Sequence, residues 1–309
     1  MLDILTIVLP VFLVVAAGYG ATRFGGFAQS AVDGLTAFAV RFAVPTLLFG
    51  AMARLDLAQA FDPGLMAAFY LGVGLCFLLG VRGARGLFGR RPGEAVAIGF
   101  AAMFSNTLLL GVPIIARAYD DATLAAAFTI VALHAPFNYV LGIVTMELSR
   151  RDGAPPLETA RSAARAIFSN ALTLGIVAGL AVNLYGAGLP EAVWGAVDLV
   201  TDAALPSALF GLGGALTRYR LRADLGEAGL IAGLSLIVHP ALTLLLGWLF
   251  GLPAAMLQAG VMLAAMPTGM NGYVFAAQYR RAEGAAASGL LLGAALAPLT
   301  VSAWLWALG

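Results

Sequence analysis

Long apolar runs separated by short polar clusters make up nearly the whole chain. Read as helices, they fall near residues 4 to 21, 31 to 52, 64 to 81, 95 to 117 and 122 to 147, and again near 167 to 185, 192 to 216, 227 to 250, 254 to 279 and 285 to 307. A helix needs roughly 20 mainly apolar residues to cross a bilayer core, so ten spans fill the chain and leave no room for a soluble domain. The most polar stretch, Arg150-Arg151-Asp152-Gly153-Ala154-Pro155-Pro156-Leu157-Glu158, parts them into five and five. The expected organisation is a first five-helix repeat at 1–149, a cytoplasmic linker at 150–166 and a second repeat at 167–309.

An offset of 161 residues superposes the two halves. Gly18 then falls on Gly179, Gly34 on Gly195 and Gly99 on Gly260, and Ala43-Val44-Pro45-Thr46-Leu47-Leu48-Phe49-Gly50 falls on Ala204-Leu205-Pro206-Ser207-Ala208-Leu209-Phe210-Gly211. With an odd number of spans per half, the second repeat enters the membrane upside down, a pattern found in secondary transporters. The expected fold class is an all-α integral membrane protein of ten transmembrane helices in two inverted five-helix repeats.

Composition agrees with this pattern. Of 309 residues, 61% are apolar and 11% charged, against roughly 25% charged in soluble domains. All basic charge is arginine. Fourteen arginines fall in loops on the side of the first connector and two, Arg54 and Arg117, on the other, with Arg41 inside a span. By the positive-inside rule both termini face away from the cytoplasm, as for a bacterial inner-membrane protein. The first run lacks a basic region before it and reads as a retained span. The single Cys76 excludes a disulfide framework or cysteine metal cluster, and a formal charge of +1 with scattered arginines gives no nucleic-acid signature. No nucleotide-binding motif and no metal-site spacing occur, so no cofactor is expected.

Candidate chemistry concentrates where Pro and Gly interrupt spans. The fourth span carries Ser105-Asn106-Thr107-Leu108-Leu109-Leu110-Gly111-Val112-Pro113 and the ninth Ala265-Met266-Pro267-Thr268-Gly269-Met270-Asn271-Gly272. Non-helical backbone within a membrane is tolerated only where protein or a water-filled cavity satisfies it. A helix restarting there presents free N–H groups and partial positive charge to an anion. Asn106, Thr107, Pro267, Thr268 and Asn271 are the candidate lining, and Asn106 and Asn271 add amide donors. A plain pair of proline kinks is the competing reading.

Charges within spans form the second group. Arg41 lies near mid-span, where a charge is costly. The offset pairs it with Asp202, and Asp198 lies one turn earlier; Arg41 either pairs with these acids or binds a carboxylate itself. His134, with Asn138 four residues on, and His239 are candidate proton carriers or hydrogen-bonded packing residues.

The fourth- and ninth-span runs, with Val274-Phe275-Ala276-Ala277-Gln278-Tyr279 and Arg41-Phe42-Ala43-Val44-Pro45-Thr46-Leu47-Leu48-Phe49, resemble the auxin efflux carrier family, which includes plant PIN-type and bacterial malate or malonate carriers. The resemblance covers essentially the whole chain. It implies broken crossover helices 4 and 9, transport of small organic anions, a dimerising scaffold of helices 1, 2, 6 and 7, and an elevator unit of helices 3 to 5 and 8 to 10. Val44, Pro45, Phe49, Leu205 and Pro206 would then form a scaffold wall facing the site. Ser169-Asn170-Ala171-Leu172 departs from the family's Asn-Pro, Asn271-Gly272 makes the pocket polar for an indole ring, and the third span carries no acid.

The functional expectation is a secondary carrier of a small mono- or dicarboxylate, a homodimer in lipid by resemblance, with coupling to H⁺ or Na⁺ open. A sodium-coupled symporter of bile-acid type is a rival within the class. An intramembrane enzyme built on the histidines and acids, or a membrane sensor, is a rival outside it.

Overall fold

The computed structural model describes residues 2–149, 156–168, 170–186, 188–219 and 224–309. It is helical, and among the described residues the one β pairing is an antiparallel bridge between Ser105 and Thr268. In chain order the helices are α1 (Leu2–Arg23), α2 (Gln29–Phe38), α3 (Val44–Arg54), α4 (Leu57–Ala60), α5 (Pro63–Phe88), α6 (Pro92–Met103), α7 (Val112–Ala118), α8 (Asp121–Leu148), α9 (Pro156–Phe168), α10 (Ala171–Tyr185), α11 (Glu191–Leu216), α12 (Leu225–Gly233), α13 (His239–Leu249), α14 (Ala254–Ala264), α15 (Met270–Tyr279) and α16 (Glu283–Leu308). Among the described residues, seven helices are long and apolar enough to cross a membrane, and four shorter apolar helices accompany them. Leu71, Leu75, Leu78 and Leu79 of α5 and Leu174 and Val177 of α10 stay exposed, as expected of a surface that meets lipid.

Local chemistry fixes the boundaries. Asp62 and Asp120 accept from the backbone N–H of Leu65 and Thr123 at the starts of α5 and α8, at 2.8 and 2.9 Å. Gly89, at φ 61°, closes α5 in the left-handed conformation that glycine adopts without penalty. Prolines account for the widened turns. Single π-helical turns at Ala39–Ala43, Thr107–Gly111 and Leu234–Val238 lie directly ahead of Pro45, Pro113 and Pro240. Proline has no N–H to donate and its ring collides with the carbonyl one turn back, and the wider turn moves that carbonyl away.

The structure adds a helix within the expected linker and revises one helix boundary. The stretch expected to be a linker at 150–166 is helical from Pro156 and runs on to Phe168 as α9; residues 150–155 lie outside the described residues. The sixth span begins at Ala171 rather than 167, because the Asn170 side chain accepts from Leu172 N at 3.0 Å and caps α10 there.

The chain forms two compact units, each drawing on both halves of the sequence. One comprises residues 9–60 and 165–218. In it α3 packs on α10, and α11 on α1, through glycines: a Cβ at Gly175 or Gly179 would overlap the carbonyl oxygens of Pro45 or Phe49, and one at Gly213 that of Val15. Small residues at these points allow the close backbone approach on which helix association in membranes depends. The other unit comprises residues 1–8, 61–164 and 219–309. Its core joins α5 to α6 and α13, α12 to α16, and α14 and α15 to α8, α6 and α16. Phe69, Phe100 and Phe275 are fully buried there, and the rings of Phe100 and Phe275 stack at 3.8 Å.

Candidate functional site

Within the larger unit, two helices stop short and their loose ends pair. The chain leaves helical geometry after α6, at Phe104-Ser105-Asn106, and after α14, at Ala265 to Gly269. Asn106 N donates to Pro267 O at 2.8 Å and Gly269 N to Phe104 O at 2.7 Å, which makes the Ser105–Thr268 bridge. A one-rung sheet thus supplies partners that each helix lost by stopping. The Thr268 hydroxyl completes the exchange by donating to Ala101 O at 2.5 Å. Gly272 allows the close fit, since a Cβ there would meet Thr268 Oγ1 at 2.9 Å and Ala101 Cα at 3.0 Å.

The sequence-predicted lining residues fall unequally around this crossing. Pro267 gives its carbonyl to the rung, and Thr268, 1% exposed, spends its hydroxyl on Ala101. Thr107 is buried and opens a π turn with its N–H on Ser105 O at 2.9 Å. Asn106 is committed through its backbone, while no hydrogen bond to its side-chain amide occurs among the described residues. Asn271 lies in the first turn of α15 and is half-buried. First-turn N–H groups of a helix have no intrahelical acceptor. Two side-chain amides and the N-terminal end of α15 therefore remain available, and they offer an anion neutral donors with partial positive charge.

Behind the crossing sits a buried polar cluster that sequence spacing did not assemble. His134 Nε2 lies 3.1 Å from Ser105 O, and His239 Nδ1 lies 3.2 Å from Ser105 Oγ. A carbonyl can only accept, so His134 carries its proton on Nε2, and Nδ1 accepts from Asn138 Nδ2 at 3.2 Å. Phe69 packs against both imidazoles, at 5.7 and 5.1 Å. Helices α8 and α13 thus grip one serine of the broken segment from two directions. Ser105 is the residue of this cluster missed from sequence: it stood in the Ser105-Asn106-Thr107 run, yet nothing in its spacing linked it to histidines 29 and 134 residues away.

Val44, Pro45, Phe49, Leu205 and Pro206 belong to the other unit. There Val44 is buried, Pro206 is exposed, and Phe49 stacks on Trp194 at 6.1 Å. The expected Arg41–Asp202 pair is corrected by the structure. Both residues are exposed, and among the described residues no ion pair joins them. Asp198 instead pairs with Arg54, at 2.8 and 3.0 Å to its two carboxylate oxygens, with the guanidinium 4.2 Å above the Trp194 ring. The physical reason is register. Arg41 occupies the π turn of its helix while α11 is α-helical throughout, so equal sequence offsets do not give equal faces. Among the described residues no group of three or more His, Cys, Asp or Glu side chains could hold a metal.

Among the described residues, seven apolar helices long enough to span a bilayer, with two shorter apolar helices whose ends pair at a polar break, fit a multi-pass membrane protein, and the family match makes it a transporter, not an enzyme. The chain belongs to the membrane transport protein family, which matches residues 3–305, and this is the auxin efflux carrier family that the motifs resemble. It is 27% identical over 313 residues to the "Putative malonate transporter" of Rhizobium meliloti, covering 99% of this chain and 96% of that protein. It is 25% identical over 276 residues to an "Uncharacterized transporter" of Methanothermobacter thermautotrophicus, covering 87% and 86%.

Proposed function

We propose that the protein is a secondary carrier of a small organic anion, a mono- or dicarboxylate, which binds at the crossing of the broken helices. One observation carries this reading: the crossing leaves the Asn106 and Asn271 amides and the first N–H groups of α15 uncommitted, while the Ser105 and Thr268 hydroxyls and the Phe104 and Pro267 carbonyls are bonded. Donors without a cation suit a carboxylate that must be released again on the other side. The name of the Rhizobium meliloti relative is in keeping with a dicarboxylate.

The two broken segments occupy equivalent places at the 161-residue offset, which supports reading the ten spans as inverted repeats. The division into two compact units, with both crossing segments in one of them, supports an elevator in which that unit moves and the other is a fixed, dimerising scaffold. The arginine asymmetry supports an inner-membrane location with both termini outside. Coupling is to H⁺ or Na⁺.

Uptake of labelled carboxylates into proteoliposomes, with pH, Na⁺ and voltage gradients imposed separately, tests the reading. Saturable uptake of one acid, weakened in Asn106→Ala at unchanged protein yield, is the expected result. Wild-type protein that moves no carboxylate under any gradient would refute it, and unchanged affinity in Asn106→Ala would remove that residue from the site.

A further inference from the structure

At the far end of α15 from the crossing, the larger unit holds a second cluster of anion-binding character. A cavity of about 260 Å³ is lined by Met146, Gln278, Tyr279, Arg280 and Arg281. At about 30 Å³ for each water, it has room for roughly eight waters, or for a small dicarboxylate. Both arginines are exposed, and among the described residues no ion pair engages either. Two acids of the flanking helices are engaged elsewhere, and a third, Glu283, lies two residues from Arg281. Glu94 accepts from Arg91 N at 3.1 Å and lies 4.0 Å from Arg90, Glu147 has an interaction of its own, and Glu283 sits in the first turn of α16.

The backbone explains why the arginines share one cavity. Arg280 and Ala282, at φ 52° and 48°, are the non-glycine residues with positive φ among those described. Two left-handed residues in three turn the chain sharply between α15 and α16, and such conformations persist where the surroundings impose them. Arg281 is thereby laid against the start of α6: a Cβ at Gly93, second residue of that helix, would stand 3.6 Å from Arg281 Nε. A guanidinium at the positive end of α6, beside a second guanidinium, concentrates positive charge that Glu283 and the C-terminal carbonyls of α15 offset only in part.

We infer that Arg280 and Arg281 form a capture site for the organic anion at the arginine-rich mouth of the carrier, distinct from the crossing and joined to it by α15. The ten residues of α15 span about 15 Å at 1.5 Å each. Two planar guanidinium forks match two carboxylates in a way that neutral amides cannot, so the pair favours a dicarboxylate over a monocarboxylate. The inference rests on the carrier reading above. The cluster raises the local anion concentration on one face, and the neutral crossing then accepts the anion and lets it go.

The test uses full-length protein in neutral-lipid proteoliposomes sorted by orientation, with labelled malonate as probe. Arg280→Gln and Arg281→Gln should each raise KM about three- to fivefold from the arginine-rich face alone, the scale of one exposed charged contact. Maximal rate and KM from the opposite face should stay at wild-type values, and the lysine variants should recover part of the loss. An equal rise on both faces, or no rise, would overturn the inference while leaving the carrier intact. An effect that emerges only when anionic lipid is added would assign the pair to phosphate headgroups and overturn it as well. Wild-type vesicles that take up no malonate or other carboxylate would defeat the carrier reading, and this inference with it.

Discussion

Replacing Thr268 by valine tests whether the crossing is held by side-chain chemistry or by the backbone rung alone. Valine keeps the branched shape of threonine and removes one hydroxyl. In the native protein that hydroxyl donates to Ala101 O at 2.5 Å from a position 1% exposed. The backbone donor four residues on, Ser105 N, bonds Met103 O instead, so the substitution leaves the Ala101 carbonyl buried without its donor. An orphaned buried polar group costs about 1–3 kcal/mol, and side-chain hydrogen bonds between membrane helices average nearer 0.6 kcal/mol. The expected loss is therefore about 1–2 kcal/mol. At roughly 2–4 °C per kcal/mol for a chain of this order, the apparent Tm of detergent-purified Thr268→Val should fall by about 2–8 °C. Thr268→Ser, which keeps the donor, should fall by less. Melting at a fixed scan rate, followed by monodispersity on size exclusion, reads the difference. A valine variant as stable as wild type, or a serine variant as unstable as valine, would show that the hydroxyl does not hold the crossing.

Two further outcomes follow from packing and capping. Gly175→Ala places a methyl group against Pro45 O, a backbone atom that cannot turn aside; overpacking of this kind costs about 1–3 kcal/mol or more, and the variant should lose yield and Tm, whereas Gly195→Ala, with open space around it, should lose far less. The Asp120 carboxylate sits below its usual 3.8 because the Thr123 N–H and hydroxyl donate to it. A depressed pKa adds stability in full at pH well above 3.8, and that contribution is lost as the pH falls below it. The difference in unfolding midpoint between wild type and Asp120→Ala should accordingly narrow in acid, and a difference independent of pH would refute the capping role.

Much of this protein was legible without coordinates because the bilayer narrows the choices. Apolar runs of spanning length have to be helices, since backbone groups find no water in lipid, and Pro113, Pro267 and Gly269 mark segments where regular helix is hard to sustain. Asn106 and Asn271 could be singled out as polar side chains placed beside such breaks. The partners could not. That the loose ends bond each other, with Asn106 N on Pro267 O, requires segments 161 residues apart to meet, and one-dimensional periodicity carries no information about which segments meet.

Tertiary structure decided two pairings that residue spacing did not show, and a division of the chain that only the family resemblance implied. The histidines looked dispersed over two helices, and only packing around Phe69 brings both to Ser105. Asp198 found Arg54 rather than Arg41, because a π turn ahead of Pro45 changed the register that the repeat offset assumed. The division into two compact units cuts across the halves of the sequence, since contacts form between faces that fit, not between neighbours along the chain. The sequence by itself determined helices, breaks and the sign of the charge at each end, which are local or additive properties. Hydrogen-bond partners and helix faces depend on rotations of single residues, which only the folded arrangement fixes.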